Sequence, residues 1–360
     1  MRILLISGIV FVHIPYDPQS SPFGGNYGAF DWLRVFLTEV IFRVGVPCLS
    51  AISGYLLFRR GADDFSYRKT VATKTQTVLL PFLLWNTAVF LVVLTAQSQD
   101  MAAGYMPDLW SATPREILSY LFATEDLPVD IPLYFLRDLF VCILLSPLLA
   151  FFIRRYPLLT LALLFGIAVL PAITIGVVLK KSILFSFSFG IYAALYQIDL
   201  RALDRYALPI ASGLLVAAAL LTTALYYTGP DYPTLADLLR NLLSIVGPVG
   251  FWVASAILVR TGIGTRLSQT GSLSFWIFCA HYPLLILFWM VWNKTGIDYY
   301  PAFFIGSLFA AFLILVPTNA IVSRVQPGLY GVLTGGRNRA RGKARTKSGE
   351  MPAKAAPQQR

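Results

Sequence analysis

Residues 1–16 read MRILLISGIVFVHIPY. From Ile3 to Val12 the run carries no charge and is apolar on every side, as suits a helix surrounded by lipid or protein. No polar leader region and no small-residue cleavage site marks it as a cleavable signal, so it reads as a retained first helix. Two ionisable groups bracket it, Arg2 and His13. Eleven positions apart, they differ by only about 20° around a helix and by about 16 Å along it. Against a hydrocarbon core of about 30 Å, Arg2 falls at a membrane mouth and His13 near the midplane, on one face. Ionisable groups at such depths are costly and tend to face a cavity. Two readings stand side by side. In one, the arginine holds an anion such as a phosphate and the imidazole acts as a general base on its far end. In the other, the arginine sets topology and the histidine hydrogen-bonds between helices.

The rest of the chain repeats the apolar pattern. Over 360 residues only 13 % are charged, about half the share in a soluble domain, and the mean hydropathy is +0.67. A soluble α/β enzyme is excluded. Ten apolar stretches, at 3–16, 42–58, 77–97, 132–153, 157–178, 182–198, 207–227, 241–259, 273–292 and 302–323, predict an all-α polytopic transmembrane bundle of about ten helices. Between the first two, FDWLRVFLTEVIF (30–42) alternates at helical spacing and is expected to lie in the membrane interface. Cys48, Cys142 and Cys279 sit in apolar runs and read as buried thiols acting as small apolar groups. The sequence shows no metal-ligand cluster, nucleotide loop or serine-nucleophile motif, and no internal repeat of the kind many transporters carry. The net charge of +11 is concentrated late: eight of the 29 basic residues lie in 337–360. The expected domains are therefore a transmembrane domain at 1–325 and a basic, disordered tail at 326–360. That tail suits anionic lipid or topology setting, not nucleic acid.

Loop charges set an orientation. Arg59, Arg60, Arg68, Lys69 and Lys74 crowd one connection; Arg154 with Arg155, Arg201 with Arg205, Arg260 with Arg266, and Arg324 with the tail follow on the same side. The alternate loops are acidic, with Asp100, Asp108, Glu116, Glu125, Asp126 and Asp130 sharing one. Both termini are thus expected in the cytoplasm. Lys180 and Lys181 fall on the outer side against this rule, as noise or as a contact for an anionic acceptor.

Other ionisable groups lie inside the spans. His281, in SLSFWIFCAHYPLLILF, reaches a depth of about 12 Å, close to that of His13. It either completes one site with His13 or satisfies carbonyls at a kink beside Pro283; the second role is the one expected. Arg137 and Asp138, in PLYFLRDLFVCILLSP, point about 100° apart as helix neighbours, so each is expected to seek a partner on another helix or to touch an acceptor. Arg43, in FRVGVPCLSAISGYLLF, is a partner for Glu39 or Asp138, or a substrate contact.

Taken together, the Arg-x10-His pair, FRVGVPCLSAISGYLLF running into a basic loop, VLLPFLLW, PLYFLRDLF and SLSFWIFCAHYPLLILF resemble the acyltransferase 3 family of integral-membrane O-acyltransferases, over about residues 2–325. The resemblance implies about ten helices, an acyl-CoA donor used as co-substrate with no bound cofactor or metal, and a functional role for Arg2 and His13. MRILLISGIVFVH and TGSLSFWIFCAHYPLL are most similar to members that use succinyl-CoA and a sugar hydroxyl of an exopolysaccharide or its lipid-linked precursor. This implies a multi-pass protein of the bacterial inner membrane, with membrane lipids and exopolysaccharide-assembly proteins as neighbours. Many members carry Arg-x-x-Arg before the proline that opens the third helix. Here the positions before Pro81 read Lys74-Thr75-Gln76-Thr77, so one cation is lost and Arg68 and Lys69 are the available substitutes. The expected site has His13 and Arg2 as catalytic residues. Arg59, Arg60, Arg68, Lys69 and Lys74 are expected on the donor phosphates, and Arg43, Arg137, Asp138 and His281 toward the substrate. The rival from another class is a saccharide transporter or flippase without acyl transfer, which needs no cytoplasmic anion site.

Overall fold

A computed structural model describes residues 2–336 apart from 62–63, 174, 260 and 263–270. Arg260, Arg266 and the basic run from 337 lie outside the described residues. Helices account for most of the described chain: α1 (Arg2–Val12), α2 (Ala29–Phe58), α3 (Tyr67–Gln97), α4 (Pro114–Phe122), α5 (Tyr134–Leu144), α6 (Ser146–Arg155), α7 (Pro157–Val169), α8 (Lys181–Leu195), α9 (Leu200–Thr228), α10 (Thr234–Val259), α11 (Gly271–Thr295), α12 (Tyr300–Val325) and α13 (Pro327–Leu333).

Six of these, α2, α3, α9, α10, α11 and α12, are long and apolar enough to cross a membrane. The predicted span at 132–153 is a broken one: α5 and α6 meet at a bend of 59°. Three other predicted spans are short helices, α1, α7 and α8, of 11, 13 and 15 residues. Proline explains two of the short ends. Pro15 lies just past α1 and Pro171 just past α7, and neither can continue a helix without losing a backbone bond.

Two expectations change. The segment 30–42 does not lie apart in an interface; it is the first half of α2, continued through a widened turn at Phe36–Ile41 into the second half. Its charges are internal. Asp31 and Arg34 are buried and paired at 3.0 Å. Arg34 also donates to the Ser20 carbonyl at 2.7 Å and lies 4.1 Å over the Tyr300 ring. An i,i+3 pair that neutralises itself reads in sequence as a polar face. The tail, expected from 326, also starts later. α13 follows α12 at once and buries Tyr330, whose hydroxyl donates to Asn319 at 2.7 Å.

α2 packs along α8, α9 along α10, and α11 against both α1 and α12. The α2–α8 contact is close because two glycines face the opposite backbone: Gly54 meets the Phe187 carbonyl and Gly190 the Ala51 carbonyl. Small residues at a crossing let helix backbones touch where lipid supplies no hydrophobic drive. The largest core joins Leu5 and Ile9 of α1, Cys142 of α5, Ile183 and Ile191 of α8, and Cys279 and Leu285 of α11. Cys48 is buried with them. On the outside, leucines such as Leu158, Leu208, Leu220 and Leu313 stand exposed, the outward apolar surface of a bundle built for lipid.

Candidate active site

α1 stops at Val12, and its last carbonyls lack helical partners. His13 supplies one: its Nδ1 lies 2.8 Å from the Ile9 carbonyl oxygen. A carbonyl can only accept, so Nδ1 carries the hydrogen and Nε2 keeps the lone pair. The ring has two aromatic neighbours from α11, His281 at 5.3 Å between centroids and Tyr282 at 5.9 Å, both edge-on. The two histidines of the chain therefore meet. His281 is fully buried, and its Nδ1 is shared by the Ile277 and Phe278 carbonyls at 3.0 and 2.8 Å, the carbonyl-satisfying role expected of it. Its Nε2 has no hydrogen-bond partner among the described residues. Both rings thus donate through Nδ1, which in the neutral imidazole leaves the lone pair on Nε2.

His13 lines a cavity of about 800 Å³. The walls come from α1, from the middle of α2, from the loops before α5 and α8, and from the start of α10. Arg43, Tyr134, Lys180, Lys181, Asp237 and Arg240 supply its polar surface. Arg43 lies halfway along α2, and the others stand at or just before the starts of α5, α8 and α10. Arg43 is held by Glu39, Nη2 to Oε2 at 2.6 Å, as one expected alternative had it. The same Glu39 oxygen accepts from Arg240 at 3.2 Å, and Arg240 also reaches Asp237 at 2.7 Å. One carboxylate therefore holds two guanidinium groups in register across α2 and α10. Arg240 was missed in the sequence, where it reads as a lone charge just before a span.

Arg137 and Asp138 do not line the cavity. They pair with each other at 2.9 Å, although neighbours on a helix were expected to face apart. The long arginine side chain bends back, and the pair then straps the loop before α8. Asp138 accepts from the backbone of Leu179 at 3.1 Å and Lys180 at 2.8 Å, and Arg137 donates to the Val177 carbonyl at 2.8 Å. They position a cavity wall. Lys181 does similar work, its ammonium donating to the Leu170 and Ile173 carbonyls. Asp130, just before α5, is buried with neither carboxyl oxygen hydrogen-bonded among the described residues. Burial pushes this carboxyl well above the usual carboxylate range.

Arg2, Arg59, Arg60, Arg68 and Lys69 are exposed and, with Lys74, lie away from the cavity lining. Arg59 follows the last residue of α2, about 24 Å along the helix from Arg43. The two groups of cations mark opposite ends of the bundle.

The fold and site define an apolar helical bundle with a histidine on the wall of a charged cavity. The model described as an acyltransferase domain, Acyl_transf_3, matches residues 1–316, and the chain belongs to this family of acyltransferases. Among its relatives is "Succinoglycan biosynthesis protein ExoH" of Rhizobium meliloti (strain 1021), 57 % identical over 360 residues, which are 100 % of this chain and 97 % of that protein. No solved structure matches.

Proposed function

We propose that the protein transfers a succinyl group from succinyl-CoA to a sugar hydroxyl of a succinoglycan-like exopolysaccharide or its lipid-linked precursor. It does so as a multi-pass protein of the bacterial inner membrane, crossing about ten times with both termini in the cytoplasm. The observation that carries the chemistry is His13, whose Nδ1 is committed to a backbone carbonyl while Nε2 stands free on the cavity wall. The donor's phosphates sit on the cytoplasmic cations Arg2, Arg59, Arg60, Arg68, Lys69 and Lys74, and its acyl arm runs toward His13.

His13 Nε2 takes the proton of the sugar hydroxyl as that oxygen attacks the thioester carbon. The C–S bond breaks, the ester forms, and the imidazolium returns the proton to the CoA thiolate. A thiolate leaves readily, so the protein's main tasks are to place the two reactants and to keep water out. No nucleophilic side chain is needed. His281, packed edge-on against His13, keeps the imidazole from rotating.

The relative's name supports a role in exopolysaccharide assembly, with the other assembly proteins and membrane lipids as neighbours. The test has two parts. Membranes containing the protein should release free thiol from succinyl-CoA only when acceptor is present, and a His13→Gln variant should not. Polysaccharide from a deletion strain should lose the mass of its succinyl groups. A strain that keeps them would remove this reading, and acceptor movement without thiol release would favour a flippase.

A further inference from the structure

The cavity beside His13 holds more positive charge than its neighbours neutralise. Two guanidinium groups, Arg43 and Arg240, are set against the carboxylates of Glu39 and Asp237. Two ammonium groups are left over. Lys181 is spent on the carbonyls at the end of α7. Lys180 has no hydrogen-bond acceptor for its ammonium among the described residues, and the ammonium stands over the Tyr134 ring, 5.8 Å from its centre. Glu125, also on the wall, is engaged at 2.7 Å by Arg115. Lys180 shares the cavity wall with Arg43 and Arg240; besides burial, both of their charges act against its own, and Asp138 offsets only part of that. The fold nevertheless fixes Lys180 there, through the two backbone bonds to Asp138. Holding like charges together beside a proton acceptor costs stability, and an anion in the cavity would repay it.

We propose that Lys180, with Arg43 and Arg240, binds a carboxylate that one of the reacting molecules carries into the cavity, the distal carboxylate of a dicarboxylic acyl group being the first candidate. The inference rests on acyl transfer at His13 and adds which end of the substrate is read. Each guanidinium gives part of its fork to Glu39 and keeps other donors for a ligand carboxylate. An acyl group without that carboxylate would leave Lys180 facing Arg43 and Arg240 with nothing between them, so the site discriminates against it.

The experiment uses the full chain in proteoliposomes, with succinyl-CoA or acetyl-CoA as donor and a neutral or a uronic-acid-containing oligosaccharide as acceptor. Lys180→Met should lower kcat/KM with succinyl-CoA about tenfold more than with acetyl-CoA, the loss expected of one charge-assisted bond. Lys180→Arg should keep most of the selectivity. A selectivity change that follows the uronic acid instead would assign the carboxylate to the acceptor and keep the site. Equal effects across all four pairings, or none, would overturn it. A second readout needs no turnover: sodium succinate should protect the purified protein against thermal unfolding more than sodium butyrate does, and Lys180→Met should remove the difference. If the wild type uses no CoA thioester, acyl transfer fails as a reading and this protection alone decides; its absence in the wild type would then sink the carboxylate site.

Discussion

His13 can serve as a base only through Nε2, because Nδ1 is tied to Ile9. His13→Ala and His13→Gln should therefore fail alike, each by about 10²–10⁴-fold in initial rate, since glutamine cannot take up a proton. A histidine that only bridged helices would be replaced well by glutamine, such bonds being worth about 1 kcal/mol in membranes. An active, inserted His13→Gln protein would end the assignment. His281→Gln, by contrast, keeps a donor for the Ile277 and Phe278 carbonyls and should recover much of what His281→Ala loses. Arg2→Lys keeps a cation but not the fork, so it should raise the succinyl-CoA concentration needed for half-maximal rate and leave the maximal rate largely in place. Asp130 gives a pH effect. Its folded-state pKa lies above the unfolded value, so the folded protein binds the extra proton and stability falls as pH rises from about 4 upward. Asp130→Asn should flatten that decline and raise the melting temperature at pH 8; an unchanged profile would show that the carboxyl finds a partner. At this scale the sequence singled out His13 and Arg43, which line the cavity, and in the same way Arg2, which is exposed and away from it. It was silent on Arg240 and Asp130, because a charge at the edge of a span looks the same whether it faces solvent or a cavity.

The elements are held in place by contacts that no hydropathy profile contains. α2 and α8 meet backbone to backbone at Gly54 and Gly190, and any larger side chain at Gly190 would drive into the Ala51 carbonyl. Because α2 carries Arg43 and α8 begins beside Lys180, this crossing also sets the width of the cavity. Gly190→Leu should abolish assembly, read as loss of membrane-inserted, protease-resistant protein. Gly166, inside α7 with open space around it, is the control: Gly166→Ala should be neutral or stabilise by about 0.5–1 kcal/mol. The ten apolar stretches were legible, but their breaks were less so. Pro171 ends α7 while Ala172, Ile173, Ile175 and Val177 keep the sequence apolar, so a cavity-wall loop passes for the end of a span. The Asp31–Arg34 pair hides α2 in the same way, its two charges suggesting a solvent-facing segment although both side chains are buried. Removing either partner leaves a buried lone charge, and Arg34→Met should cost about 3–5 kcal/mol, far more than Arg115→Met, whose pair is exposed.

For the whole molecule the question is which face meets the cytoplasm. The two ends of the bundle are chemically distinct. At one end stand Arg59, Arg60, Arg68, Lys69, Arg154, Arg155, Arg201 and Arg205, all exposed. At the other are the acidic loop 100–130 and the cavity, where Arg43 and Arg240 pair with Glu39 and Asp237. Basic residues near span ends stay inside, which is the ground for the proposed orientation with the first end in the cytoplasm. A CoA thioester would then approach from the Arg2 side and a saccharide from the cavity side, and His13 would stand between two substrates that never share a compartment. Truncation after Gly336 should test what the tail adds. α13 and its Tyr330–Asn319 bond remain intact in that variant, so succinylation per inserted molecule should stay near normal. Orientation is tested directly with reporter fusions. Fusions after Arg60 and after Gly336 should be active only in the cytoplasm; fusions after Gln99 and after Asn293 should be active only outside. If the Gln99 fusion reported the cytoplasm, the cavity would open to the CoA pool. Lys180, Arg43 and Arg240 would then face the donor directly, and the acceptor would have to enter past Arg2.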